Sequence, residues 1–127
     1  TGKNFIRTVI QYAREGRAIR LVNDQTGSPT WAEHVGEVTL DLVSHRTSGT
    51  YHISNSGEGT WYDLGREALS IAGLHSEVEP ISTQAWAAPA PRPCYSVLDS
   101  SKVEALLSRK MTPWREALKR FLKDMPR

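Results

Sequence analysis

Apolar positions along this chain recur at helical spacing in several separate runs and alternate in only a few short ones. Phe5, Ile6, Val9, Ile10 and Ala13 share one helical face and Gly16 offers a left-handed stop, which predicts a helix over 4–15. Ala18 to Val22 alternates like a half-buried strand, and Asn23 to Pro29 is a polar loop. Thr30 and Glu33 have capping-box spacing ahead of Val35, Val38, Leu42 and Val43, the face of a second helix. Thr50 to Ile53 reads as a short strand, followed by a loop of small and polar residues over 54–59. Thr60 and Asp63 box a helix carrying Trp61, Leu64, Ala68 and Ile71, stopped near Gly73. Val78 to Ile81 is a strand that Pro80 confines to an edge. Residues 86–93 hold prolines at 89, 91 and 93 and are expected to run extended, not helical. Ser101 and Glu104 box a short helix through Leu107. Thr112-Pro113 caps the last helix, striped by Trp114, Ala117, Leu118, Phe121 and Leu122.

Helices alternating with a few short strands give an α/β fold class. The strands are too few for a self-contained doubly wound sheet, so the sheet is expected to belong to something else. The helices at 4–15, 31–45 and 113–124 then need a floor. An exposed apolar patch is expected, with Tyr51 and Ile53 near its boundary.

Composition narrows the function classes. The 127 residues suit one compact domain. With 16 Lys+Arg against 14 Asp+Glu, positive charge is not concentrated, which argues against a nucleic-acid or membrane-surface partner. The basic stretch from Arg115 to Lys123 is interleaved with core-type residues and reads as a solvated helix face. A single cysteine, Cys94, leaves no internal disulfide and fits a reducing, cytoplasmic setting. No run has the length of a membrane span, and no signal-peptide pattern opens the chain. The start at Thr1-Gly2-Lys3-Asn4, without methionine, is that expected of a fragment or processed chain.

Polar and special residues concentrate in four loops: Thr1 to Asn4, Asp24 to Thr30, Ser54 to Gly59, and Pro89 to Ser96. The Asp24-Gln25-Thr26-Gly27-Ser28-Pro29-Thr30 loop joins a strand to a helix. Free backbone N–H groups of a helix start face whatever sits there, and Gln25, Ser28 and Thr30 add neutral donors and acceptors. On physical grounds alone a capped turn, in which Asp24 and Thr30 serve only the backbone, stands ahead of that reading. In Pro91-Arg92-Pro93, flanking prolines present Arg92 on a stiff backbone, which suits bidentate phosphate recognition; the alternative is a linker with a solvated arginine. The sequence has no G-x-G-x-x-G. None of its four tyrosines has a lysine four residues on, because Gly16, Asn55, Arg66 and Asp99 occupy those places. His34, His45, His52 and His75 have no metal-type spacing among themselves or with Cys94, and no metal ligand is assigned.

Gly2-Lys3-Asn4-Phe5-Ile6-Arg7-Thr8, the Asn23 to Thr30 loop, Gly49-Thr50-Tyr51-His52-Ile53, Pro91-Arg92-Pro93 with Ser96-Val97-Leu98-Asp99, and Pro113 to Leu118 together resemble one family. They are similar to the carboxy-terminal, substrate-binding part of dTDP-4-dehydrorhamnose reductases, in the extended short-chain dehydrogenase/reductase superfamily. The strongest element is Asp-Gln-x-Gly-Ser-Pro-Thr. The resemblance implies that residues 1–127 are a sugar-nucleotide-binding domain whose NADPH-binding Rossmann domain lies upstream. The full-length enzyme would reduce dTDP-4-dehydro-L-rhamnose to dTDP-L-rhamnose for cell-surface polysaccharide. Its Tyr-x-x-x-Lys pair would also lie upstream, so no catalytic residue is assigned. Carried over by motif, Asn4 and Arg92 face the pyrophosphate, while Gln25, Ser28 and Thr30 line the nucleotide-sugar cleft. Trp31 departs from the family pattern at the edge of that cleft. The family also brings expectations of Mg²⁺ in some members, of a homodimer, and of the chain's own Rossmann domain as partner. Competing readings are another extended-family epimerase or dehydratase, and a reductase-like regulatory subunit without activity. The Gln25 loop argues against the former, since those relatives usually place an arginine-led segment there.

Overall fold

Asn4 accepts a hydrogen bond from the Arg7 amide at 3.2 Å and so caps α1, Phe5–Arg14. Residues 4–125 are described in this computed structural model, and the Thr1 to Lys3 part of the first polar loop lies outside them. Helix α1 buries Ile6, Val9 and Ile10 against β1, Ile19–Val22, and α3, Trp61–Ile71. Strand β1 runs parallel to β4, Val78–Ile81, in the register Ile19↔Val78 to Val22↔Ile81. Pro80 stands opposite Leu21, and β4 has no further partner strand among the described residues, so the missing N–H costs no ladder bond. Gly65 of α3 presses onto β1: a Cβ there would lie 2.2 Å from Leu21 Cδ1. Trp114 and Leu118 of α6, Trp114–Asp124, complete this core. The stripes of α1 and α6 are therefore covered by the chain's own α3 and β1, and these two helices need no outside floor.

A second core joins Val38 and Leu42 of α2, Ala32–Ser44, to Val103 of α5, Ser101–Leu107, and to Met111. Tyr51 and Ile53 pack against it half-buried, and residues 50–53 form no strand. Lys102 explains part of this: its ammonium lies 4.2 Å from the centre of the Tyr51 ring and donates to the Thr50 carbonyl at 2.8 Å. That carbonyl is turned to a side chain instead of a ladder. Tyr51 and Ile53 thus face inward. The large apolar side chains left open are Leu40 and Val43 on α2, Leu106 on α5, and Trp61, Trp86, Tyr95 and Leu98. The described strands make two two-stranded sheets, β1–β4 and the antiparallel pair β2, Thr26–Gly27, with β3, Gly59–Thr60. No helix among the described residues is long and apolar enough to cross a membrane.

One expected capping box is present and two are replaced. Thr60 accepts from the Asp63 amide at 3.1 Å while Asp63 takes the Thr60 N–H at 2.9 Å. Thr30 instead turns its hydroxyl back to the Ser28 carbonyl at 2.8 Å, and Trp31 takes the N-cap position. The Glu104 carboxylate turns not to its own helix start but to the Met111 amide and Lys110 ammonium beyond the end of α5, at 2.9 and 2.8 Å. Pro113 opens α6 without a side-chain cap. Trp86 is not extended: it ends a one-turn helix α4, Thr83–Trp86, capped by Ser82 and closed by Ala87 at φ 49°.

Three segments converge on Asn55, which is 1% exposed. Its Oδ1 accepts from the Trp31 amide at 2.9 Å, supplying the N-terminal bond of α2 that Thr30 does not. Its Nδ2 donates to the Thr112 carbonyl at 2.9 Å and to His34 Nδ1 at 2.7 Å. Both amide hydrogens are then used, so His34 must accept at Nδ1 and carry its proton on Nε2. Asn55→Ala should destabilise the fold by about 3 kcal/mol or more, since each buried group left unpaired costs about 1–3 kcal/mol. Asn55→Asp, of the same shape but without donors, should be no better in urea melts. Burial holds the His34 imidazolium below the usual histidine range. A depressed imidazole favours the neutral fold, so its contribution is present above the unfolded value, about 6.5, and is lost as pH falls through the folded one. The melting temperature should fall as pH drops from about 7 through the depressed His34 value, and His34→Gln should flatten that fall.

Candidate functional site

The loop between β1 and α2 gathers the other polar segments onto itself. Thr26 donates its N–H to the Cys94 carbonyl and accepts the Ser96 N–H at its own carbonyl, both at 2.8 Å. On its other side, Thr26 and Gly27 pair with Thr60 and Gly59. Ser28 Oγ accepts from the Leu98 amide at 3.1 Å, and the Tyr95 hydroxyl donates to Glu58 at 3.0 Å. That bond raises the Tyr95 phenol above its ordinary value. Gly27 allows the approach, because a Cβ there would lie 3.2 Å from Ser96 Oγ. Three of the four polar loops read from the sequence therefore form one edge. Asn4 reaches the same edge through its neighbour: the Phe5 ring meets Trp61 edge-on at 4.9 Å, and the Trp61 indole donates to Gln25 Oε1 at 3.3 Å.

The five expected binding residues have unequal freedom here. Asn4 spends its Oδ1 on the α1 cap. Gln25 is engaged at both ends, by Trp61 and by the Thr83 hydroxyl at 2.9 Å. Ser28 and Thr30 hold backbone: Thr30 Oγ1 also receives the Asn55 amide at 3.3 Å. Arg92 is exposed and has no ion pair among the described residues. The capped-turn reading of the Asp24 loop thus holds for Thr30, whose hydroxyl meets only backbone groups, and fails for Asp24. Asp24 does more than cap its own turn: both its oxygens take the Thr83 amide, at 2.9 and 3.0 Å, and Oδ1 takes the Thr83 hydroxyl at 2.6 Å. Those bonds, the hydroxyl's foremost, hold the carboxyl below the usual range. The role was missed because Thr83 lies 59 residues away, beyond any local spacing.

Beside this edge, a hollow of about 410 Å³ opens between the Ser54 to Glu58 loop and residues 97–101. Gly57 and Gly59 do not cradle a phosphate there. Their open sides face the Trp114 indole, where an added Cβ would meet ring atoms at 3.2 and 3.1 Å. These residues do not fit a dinucleotide site. For Mg²⁺ likewise, no group of three His, Cys, Asp or Glu side chains converges among the described residues. The edge offers hydroxyls, amides and one arginine, which are groups for recognising a polar, anionic ligand.

Known proteins resemble this chain in sequence and in fold. Residues 1–127 match the sequence profile described as the RmlD substrate binding domain. The spore coat polysaccharide biosynthesis protein SpsK of Bacillus subtilis is 36% identical over 123 residues, covering 97% of this chain and 43% of its own length. A probable dTDP-4,6-dihydroxy-2-methyloxan-3-one 4-ketoreductase of Streptomyces antibioticus is 35% identical, with 98% and 43% covered. Among solved structures, dTDP-4-dehydrorhamnose reductase from Bacillus anthracis, in complex with NADP, superposes with a TM-score of 0.92 at 33% identity, over 98% of this chain and 44% of that one. The chain thus spans less than half the length of the relatives it matches, and its α/β architecture is that of one part of them. With a match over the whole sequence and a fold to go with it, the chain belongs to the RmlD substrate binding domain family.

Proposed function

We propose that residues 1–127 are the substrate-binding part of an NADPH-dependent dTDP-4-dehydrorhamnose reductase. In this reading the whole enzyme, cytoplasmic, converts dTDP-4-dehydro-L-rhamnose to dTDP-L-rhamnose for cell-surface polysaccharide. The observation that carries it is the junction at Thr26, which ties the Asp24 to Thr30 loop to the segment bearing Arg92. The name of the Bacillus anthracis relative supports it. NADPH supplies the hydride and is bound by an upstream Rossmann domain, the partner this chain docks against. This chain contributes recognition. Arg92 meets the diphosphate with a planar fork, and the Asn4 end of α1 approaches the same group. Gln25, Ser28 and Thr30 shape the cleft wall; Gln25, with its amide held at both ends, presents a fixed surface to the sugar. The Streptomyces antibioticus relative favours a second reading, in which the reduced ligand is a different dTDP-4-keto sugar.

Two measurements test this. The purified 127-residue chain should oxidise no NADPH with dTDP-4-dehydrorhamnose, since none of its tyrosines has the partner lysine and it has no glycine-rich dinucleotide loop. The full-length protein should oxidise NADPH, and a panel of dTDP-4-keto sugars would rank the two substrate readings. Turnover by the short chain alone would sink the division of labour. In the full-length protein, Arg92→Ala should weaken dTDP-sugar binding by about 1.5–3 kcal/mol, and Arg92→Lys should recover only part, because a point charge cannot reproduce the fork. Calorimetry with unchanged affinity for the alanine variant removes Arg92 from the site.

A further inference from the structure

Asp24 and Thr26, two residues apart, grip a distant stretch of chain at both of its ends. Asp24 holds Thr83, the first residue of α4, by three hydrogen bonds to its amide and hydroxyl. Gln25 adds a bond to the same hydroxyl, which can accept from the amide while giving its proton to the carboxylate. Thr26 holds Cys94 and Ser96 through the backbone. The segment 84–93 is thereby closed into a loop with both feet on residues 24–26. Its interior is stiff: one helical turn, Ala87 in the left-handed region at φ 49°, then Pro89, Pro91 and Pro93. A stiff loop with both feet fixed leaves Arg92, just before the Cys94 foot, few positions to occupy. The Thr26 foot is made of backbone atoms and tolerates most side chains. At the Thr83 foot the Asp24 carboxylate makes three of the four bonds and Gln25 the fourth, while the Asn23 N–H holds the Ile81 carbonyl two residues earlier.

We propose that Asp24 is a positioning residue for Arg92: by clasping Thr83 at the entry of the 84–93 loop, it sets where the guanidinium meets the diphosphate of a nucleotide sugar. This rests on the reading of Arg92 given above. Asp24 need not touch the ligand. Without the clasp, the limb beyond Ile81 keeps only the Gln25 bond to residues 24–26, gains freedom in the unbound protein and must be ordered on binding, so the loss falls on affinity and not on the chemical step.

The test is a double-mutant cycle in the full-length protein, with dTDP as the calorimetric probe and NADPH oxidation read alongside. Asp24→Ala should raise the Kd for dTDP roughly three- to tenfold, about the cost of ordering a freed side chain or two, and raise KM with kcat little changed. Asp24→Asn, which keeps one neutral acceptor for Thr83, should recover part of the loss. In the Arg92→Ala background, Asp24→Ala should add nothing. Thr83→Val, which removes the hydroxyl and leaves the amide, should reproduce part of the Asp24 effect, and serves if Asp24→Ala does not fold. An Arg92 effect with no Asp24 effect, or with an additive one, overturns the positioning role alone. Unchanged affinity in Arg92→Ala overturns the reading beneath it and the proposal together.

Discussion

A buried amide that must make all of its hydrogen bonds is the constraint on which the rest of this structure depends. Asn55 stands in the loop into β3, where it meets the loop into α2 and the loop into α6, and it bonds groups from both. A buried polar group costs stability unless every partner is in place, so this junction has one good arrangement and few tolerable near-misses. Apolar packing alone would let α2 slide against α5 and Met111, since Val38, Leu42 and Val103 make contacts of no fixed direction. The directed bonds from Asn55 set the rotation and height of α2, and with them the edge at which Thr26 collects the other loops.

This explains a division of labour between the two ends of the fold. On one side α1, α3, α6 and β1 form an apolar core in which Gly65 and Leu21 are pressed together. On the other side the backbone is mostly irregular and is held by side chains: Asp24, Thr30, Asn55, Ser56 and Tyr95 each bind a group distant in sequence. Regular structure gives rigidity, and the irregular side gives the varied polar surface that a nucleotide sugar would need.

The apolar periodicities made most of the first side legible. The helix over 4–15, the strand after it, and the Thr60–Asp63 box are all patterns a few residues long, and α1, β1 and α3 follow them. The second side was harder to read because its bonds span the chain. Thr30–Glu33 and Ser101–Glu104 have the spacing of capping boxes, yet Asn55, 24 residues on, takes the Trp31 amide, and Glu104 is drawn to Met111, seven residues on; the box spacing carries no sign of either competitor. Thr50 to Ile53 alternates like a strand, but alternation requires only a buried and an open side, which packing on Val38 and Met111 also provides. The site loops were recognisable as loops and by their resemblance to a family. That Asp24 would hold Thr83 was visible in neither.

The long reach of these bonds has a consequence for how the chain comes together. Asn55 finds one partner 24 residues before it and another 57 residues after it, and Ser28 waits for Leu98, 70 residues on. During synthesis, α1, β1 and α3 can begin to pack while the polar edge is still without its closing strand. Asn55 then stands with one of its three side-chain bonds unanswered until Thr112 has been made. Contacts of such sequence separation form late and slowly. The binding edge is therefore assembled after the core that supports it, and the penultimate stretch of chain, though far from the edge in sequence, is what locks it.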